Sequence, residues 1–470
     1  MNSADSSIAP PGRCRQHGFV ATVPPLAGLC SYAEATSAES SVESLVRLLR
    51  RFARIERRTL LVLAAHLNAV PEWEVKCALS LHLWQDAEHC AWQRERVAEL
   101  RKPPHYLDRP DDAALEAFFE ELIRSRSTLE LLTGVYRVLK PSVLEAIEAH
   151  RARGNPLADQ PTFRLLRFVA LEEREQVDWG AHAIAALGGA DEDWERHLSG
   201  YLRAAGGASG DGDRADRIAA PRAAEPLELV RVPRRDERFT RLWDSRGRLP
   251  GFDAPRDEVN WRMLYVRLTE MHAAELIALT LYEWPQASFE VHRDLARHLW
   301  DETRHSMFGE VAFETRGVDW HTVPHELSFA SFPNTQLEPR ERYALLYGAE
   351  HAAMGKRGKT SATRAGKPEQ HAAARASGDP LSTLFHDHDW ADEVLHVHIG
   401  RRLLADAYES TDARDEAATR AWERYQRIVE EDLALERSEW WDEFYAGISA
   451  ARRAPKPRSP ALDTHRRELL

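Results

Sequence analysis

Apolar residues recur along this chain at steps of three and four, in long stretches that glycine and proline largely avoid: 41–100, 112–152, 162–187, 257–315, 338–354 and 386–445. Within 45–66, Leu45, Leu48, Leu49, Phe52, Ile55, Leu60 and Leu63 form one stripe, the pattern of an amphipathic helix with a buried face. Strand-like alternation between turn residues is scarce, so the fold class expected is all-α. Residues 1–40 read as an extended arm. The stretch 187–256 carries GGA, AAGGASGDGDRAD and scattered prolines, the composition of a boundary with short elements at best. A polar insert at 355–380 bears Lys356, Arg357, Lys359, Arg364 and Lys367; it reads as a solvated loop, with an anion-binding lid as the sharper alternative.

The chain also repeats itself. LHLWQDAEHC (81–90) matches RHLWDETRHS (297–306), setting His82 over His298, Trp84 over Trp300 and His89 over His305. Glu56 stands 15 residues before Pro71, as Glu270 stands 15 before Pro285. LLTGVY (131–136) lies over LLYGAE (345–350), and EEREQVDWG (172–180) over DEVLHVHIG (392–400). Spacings that drift so little imply two copies of one helical domain. The expected organisation is a bundle at 41–190, a linker at 191–256, a second bundle at 257–405 and a helical extension at 406–470.

In the second copy, successive helices carry Glu270, then Glu302 and His305, then Glu350, then Glu393 and His396. Residues three apart share a helix face, so each E-x-x-H turns a carboxylate and an imidazole toward one point. Four carboxylates and two imidazoles can hold two divalent metals. If Pro285 marks a hairpin, Glu270 and Glu302 sit level, roughly 22 to 26 Å from the turn at about 1.5 Å per residue. Without thiolate in the set, iron is the expected metal, with manganese possible in one or both positions.

On these residues the chain resembles the ferritin-like di-iron carboxylate superfamily, whose bundle carries a Glu on two helices and Glu-x-x-His on the other two. Asp301-Glu302-Thr303-Arg304-His305 is also similar to the D-E-x-R-H pattern of bacterial multicomponent monooxygenase hydroxylases. The resemblance implies that Asp301 and Arg304 stand behind the ligands, with Asp301 accepting the N–H of a ligating histidine; Asp392 can do the same for the other. It implies two fused bundles and reductive activation of dioxygen. Asp389 falls where helical-bundle N-oxygenases are similar in placing an extra histidine, and reads here as a capping or supporting group rather than a ligand. His386, His388 and His398 read as polar-face residues, and His272 and Glu275 as structural or pocket-lining.

The first copy looks degraded. Its aligned residues are Glu56, Asp86, His89, Tyr136, Glu173 and Gln176, with Glu130 as the alternative to Tyr136; a scaffold with a remnant polar cluster or a mononuclear site is expected there.

Composition narrows the functions further. With 63 basic and 75 acidic residues, the net charge of −12 offers no global field for nucleic acid or an anionic membrane. No run approaches the roughly 20 apolar residues of a membrane span, and the N-terminus lacks a basic start followed by an apolar region, so a cytoplasmic protein is expected. The four cysteines contain no C-x-x-C, against a zinc ribbon or rubredoxin-like centre. The expected function is a monooxygenase-type oxidoreductase that hydroxylates, desaturates or N-oxygenates a small organic substrate. It would use dioxygen and an external electron donor, and a homodimer is one assembly open to it. The alternative is a ferroxidase or peroxide-handling metal protein.

Overall fold

A computed structural model of the chain describes residues 23–453, apart from positions 40, 104–106, 215–218, 224, 243–248, 286, 355–364, 406–407 and 432–439. The first helix, α1 (Val42–His66), is started by a reciprocal cap in which the Ser41 hydroxyl accepts from the Ser44 N–H and the Ser44 hydroxyl from the Ser41 N–H. It pairs with α2 (Trp73–Glu99) as an antiparallel hairpin across a short loop containing Pro71. After α3 (Ala113–Leu122), capped by Asp112, comes α4 (Thr128–Leu132). This helix passes through a π-helical turn, Thr133–Leu139, into α5 (Lys140–Arg153). Next, α6 (Gln160–Ala186) packs on α2, α5 and the π-helical turn.

The boundary expected at 191–256 opens instead with a helix, α7 (Glu192–Ala204), capped by Asp191. Trp194, Leu198, Tyr201 and Leu202 share one face of it and are buried against α3 and the π-helical turn. That stripe lay within the glycine-rich reading of the segment and was hidden by it.

The second half begins with α8 (Arg256–Thr269) and α9 (Met271–Tyr282), which interrupt one another only at Glu270. It continues with α10 (Phe289–Glu314), α11 (Ser328–Gln336), α12 (Pro339–Ala353), α13 (Lys367–Ser377) and α14 (Pro380–Ala405). The last helices are α15 (Thr411–Glu431), lying on α12, and α16 (Trp440–Arg453). Among the described residues the only strand pairing is a two-residue parallel match of Arg241–Leu242 with His325–Glu326, so the fold is all-α. No described helix is long and apolar enough to cross a membrane.

The halves meet along α1 and α2 on one side and α9 and α10 on the other, within one continuous apolar core. Trp84 and Trp300, matched to each other by the repeat, stack at 6.3 Å with their rings 6° from parallel. Like residues meeting like is what an isologous contact between two copies produces. Beside them the seam buries a charged triad: Lys76 Nζ donates to Glu275 at 2.7 Å, and Arg235 donates to both oxygens of the same carboxylate at 2.5 and 3.0 Å. Glu275 thus has the structural role expected of it.

Candidate metal centre

Six side chains singled out as ligands come together between α9, α10, α12 and α14, in two adjoining groups. In one, Glu270, His305, Asp389 and Glu393 bring potential ligand atoms within 4.8 Å of one another; in the other, His298, Glu302, Glu350 and His396 do the same. Helix geometry assembles them. On α10 the sequence His298-x-x-x-Glu302-x-x-His305 lays three donors along one face, and on α14 Asp389, Glu393 and His396 repeat that spacing. Glu270 enters from the break between α8 and α9, and Glu350 from the last turns of α12. All are buried except Glu270, whose side chain is 12% exposed and marks the edge nearest solvent.

The groups behind the imidazoles are as specific as the imidazoles. His305 Nε2 lies 3.1 Å from Asp392 Oδ2 and His396 Nε2 lies 3.3 Å from Asp301 Oδ2. Arg304 Nη2 donates to both carboxylates, at 2.7 Å to Asp301 and 2.8 Å to Asp392, locking the pair together. With Nε2 given to a carboxylate, each ring aims Nδ1 inward, where a metal needs the lone pair. Inward atoms without a hydrogen-bond partner are His305 Nδ1, His396 Nδ1, Glu270 Oε2, Glu393 Oε2 and Glu350 Oε2. Buried polar atoms are normally satisfied, and this many orphans converging on one place could serve as the donor set of a cation.

Electrostatics point the same way. Burial works to raise the Glu302 carboxyl, but the imidazoles of His298 and His396 prevail and hold it well below the usual carboxylate range. Burial works to lower His396, yet Asp301 and Glu302 drive it well above an ordinary histidine. Burial keeps Glu350 raised despite His298. The cluster therefore carries excess negative charge that protons must balance when no ion does.

Two residues enter that the sequence reading did not place. His298 approaches Glu350 Oε1 to 2.7 Å and Glu302 Oε1 to 3.3 Å, stacks on His396 at 3.8 Å, and keeps Nδ1 3.2 Å from the Tyr343 hydroxyl. Its position four before Glu302, repeated by His82, was the available signal. Lys367, read as part of a solvated loop, is buried at the start of α13. Its Nζ lies 2.8 and 2.9 Å from the Asp389 oxygens and 2.8 Å from Glu393 Oε1. Arg267 also pairs with Asp389. Two protein cations therefore neutralise Asp389, which fits its reading as a supporting group although it lies among the donors. His386, expected on a polar face, is buried with neither ring nitrogen hydrogen-bonded; burial, with Arg267 and Lys367 nearby, pushes its pKa well down.

The N-terminal half repeats the arrangement with changes. Glu56, Asp86, His89 and Glu173 form a third buried group within 4.8 Å. His89 Nε2 pairs with Glu172 at 2.7 Å, the counterpart of the His305–Asp392 pair. Where the alignment put Tyr136 over Glu350, contacts give another register. Tyr136 closes on Gly180 so tightly that a Cβ there would lie 2.3 Å from it, and Tyr347 does the same to Gly400 at 2.4 Å. Tyr136 therefore stands one turn before the Glu350 level. The π-helical turn in which it lies adds a residue and brings Lys140 to that level. Lys140 Nζ donates to Asp86 at 2.9 Å and to Glu173 at 2.7 Å. Burial lowers its pKa, but Asp86 and Glu173 outweigh that, so it stays an ammonium. Glu130 lies outside the group and pairs with Arg222.

The buried carboxylate and histidine clusters could hold metal ions. Two surface clefts of about 610 Å³ each lie near Leu227–Arg234, and no cluster residue lines either. No family model, curated protein or solved structure matches the chain.

Proposed function

We propose that the chain is a non-haem di-iron oxygenase built from tandem ferritin-like bundles, with its reaction centre in the C-terminal half. The observation that carries this reading is the pair of adjoining donor sets centred on α10 and α14, with His305 and His396 each backed by an aspartate and the two aspartates joined through Arg304. Glu270, His305 and Glu393 would hold one ion; Glu302, Glu350, His396 and His298 the other. A pair of irons, or an iron–manganese pair, supplies reductive activation of dioxygen.

The chain's own residues do the rest. Asp301 and Asp392 fix which imidazole nitrogen is protonated, and Arg304 holds both aspartates in orientation. Burial of the donors excludes water from all but the Glu270 side. Phe308 and Phe385, stacked at 4.5 Å with Phe308 5.6 Å from His305, give that end of the centre an apolar wall suited to an organic substrate.

The test is an oxygen-uptake assay on iron-loaded, full-length protein with a chemical reductant and a panel of small aromatic, amine and aliphatic substrates. Dioxygen consumption coupled to an oxygenated or desaturated organic product is expected. Fe(II) oxidation that proceeds without organic product across the panel would replace this reading with a ferroxidase. Failure of the C-terminal donors to hold any metal would end both.

A further inference from the structure

We propose that the N-terminal half holds one divalent metal of its own, bound by Glu56, Asp86, His89 and Glu173, with the Lys140 ammonium standing where a second ion would be. The inference is independent of the oxygenase reading, because it rests on atoms in the other half of the molecule.

The unpartnered atoms are the first argument. Each of the four residues leaves one buried atom without a hydrogen bond: Glu56 Oε1, Asp86 Oδ2, His89 Nδ1 and Glu173 Oε2. His89 is fully buried, and its other nitrogen is committed to Glu172, so Nδ1 turns inward as a free lone pair. It lies 3.7 Å from the open Glu56 Oε1 and 3.7 Å from Glu173 Oε1, which also accepts from Lys140. That is too long for a hydrogen bond. It suits two metal–ligand bonds of about 2.1 Å opening at roughly 120° around a shared ion.

The remaining donors show why one ion and not two. His82, the counterpart of His298, places Nδ1 2.6 Å from the Tyr136 hydroxyl. Gln176, the counterpart of His396, donates to Gln85 at 3.0 Å. One imidazole of a second ion is thus lost, while Lys140 takes one oxygen each from Asp86 and Glu173. The carboxylates outnumber the one ammonium, so the cluster keeps a negative excess that a divalent cation would offset. With three carboxylates, one imidazole and no thiolate, the ligand class is a first-row divalent ion such as Mn(II), Fe(II) or Zn(II). It would tie α1, α2 and α6 together.

Mn(II) is the probe, counted per chain by equilibrium dialysis of the full-length protein, with thermal unfolding followed in parallel. A His305→Ala/His396→Ala variant, which removes donors only from the C-terminal centre, should retain one Mn(II) per chain and melt higher with Mn(II) than without. Adding His89→Ala should abolish both. Glu56→Gln, nearly isosteric, does the same job if His89→Ala fails to fold. A His305→Ala/His396→Ala protein that binds no Mn(II), or bound Mn(II) that survives both His89→Ala and Glu56→Gln, overturns the proposal. Were the wild-type chain to bind a single ion lost on His89→Ala and kept on His305→Ala, the C-terminal reading would fail and this one would stand.

Discussion

Three buried carboxylate groups in this molecule differ in how much of their charge the protein itself neutralises. At the seam, Glu275 is closed by Lys76 and Arg235, and neither of its oxygens is left unpartnered. In the N-terminal cluster Lys140 satisfies part of the need and four atoms stay open. In the C-terminal centre Arg267 and Lys367 serve Asp389 and one oxygen each of Glu270 and Glu393, His298 approaches Glu350, and the Nδ1 atoms of His305 and His396 stay open. One architecture thus carries a closed salt bridge and two mixed sites, the C-terminal one with more open donor atoms. The lesson is that a buried carboxylate reveals little until its cations are counted.

The largest effect should come from the site with more open donor atoms. Glu302→Ala or His396→Ala removes a donor whose neighbours cannot be satisfied otherwise. Oxygen uptake and metal content of the C-terminal centre should fall by more than about 100-fold, beyond the loss typical of a supporting residue. Far-UV circular dichroism should stay near that of the wild type. A variant that kept full metal content and turnover would dissolve the contrast between the two halves.

Removing the cation from the N-terminal site comes next. Lys140→Met strands Asp86 and Glu173 as buried, unneutralised carboxylates, an error that costs about 3–5 kcal/mol. Urea unfolding of chelator-treated protein reads this directly. Adding Mn(II) should recover more stability in Lys140→Met than in the wild type, because a metal then replaces the ammonium. Unchanged stability would mean that Lys140 is not the balancing charge.

How far these features could be read from the sequence follows from which interactions are local. The all-α class, the repeat and the spacing that unites Glu302 with His305 and Glu393 with His396 are properties of helix periodicity, and they needed no tertiary information. His298 was legible by the same rule, as a donor four residues before Glu302. Lys140 and Lys367 were not. Lys140 reaches its level only because a π-helical turn shifts the helix, and Lys367 is drawn from a polar segment into the core by Asp389 and Glu393, contacts across 22 and 26 residues. Likewise α7 was masked by glycine-rich sequence just beyond it, although its own four-residue stripe is apolar.

The carboxylates behind the imidazoles give a finer comparison. Asp392→Asn should weaken metal binding at the C-terminal centre by about 10- to 100-fold, since the amide no longer favours the required tautomer of His305. Glu172→Gln, its counterpart behind His89, should fall at or below the low end of that range. Glu172 is 32% exposed where Asp392 is 14%, and water replaces more of what is lost. Equal losses measured by Mn(II) titration of the two variants would show that exposure does not set the difference.

The seam triad gives an effect with a direction in pH. Burial, with Arg235 adding to it, lowers the Lys76 pKa from 10.5 to about 8 against the pull of Glu275. Between about 8 and 10.5 the unfolded chain therefore keeps a proton that the folded one has released, so this residue makes stability rise with pH across that window and adds no slope below it. Lys76→Met removes the slope and leaves Glu275 to Arg235. Urea unfolding of both proteins with chelator present, from pH 7 to pH 10.5, should show the wild type gaining on the variant only above about pH 8. Parallel curves would mean that Glu275 holds Lys76 protonated throughout. The seam would then behave like the Lys140 cluster, where the ammonium is fixed and the carboxylates adjust around it.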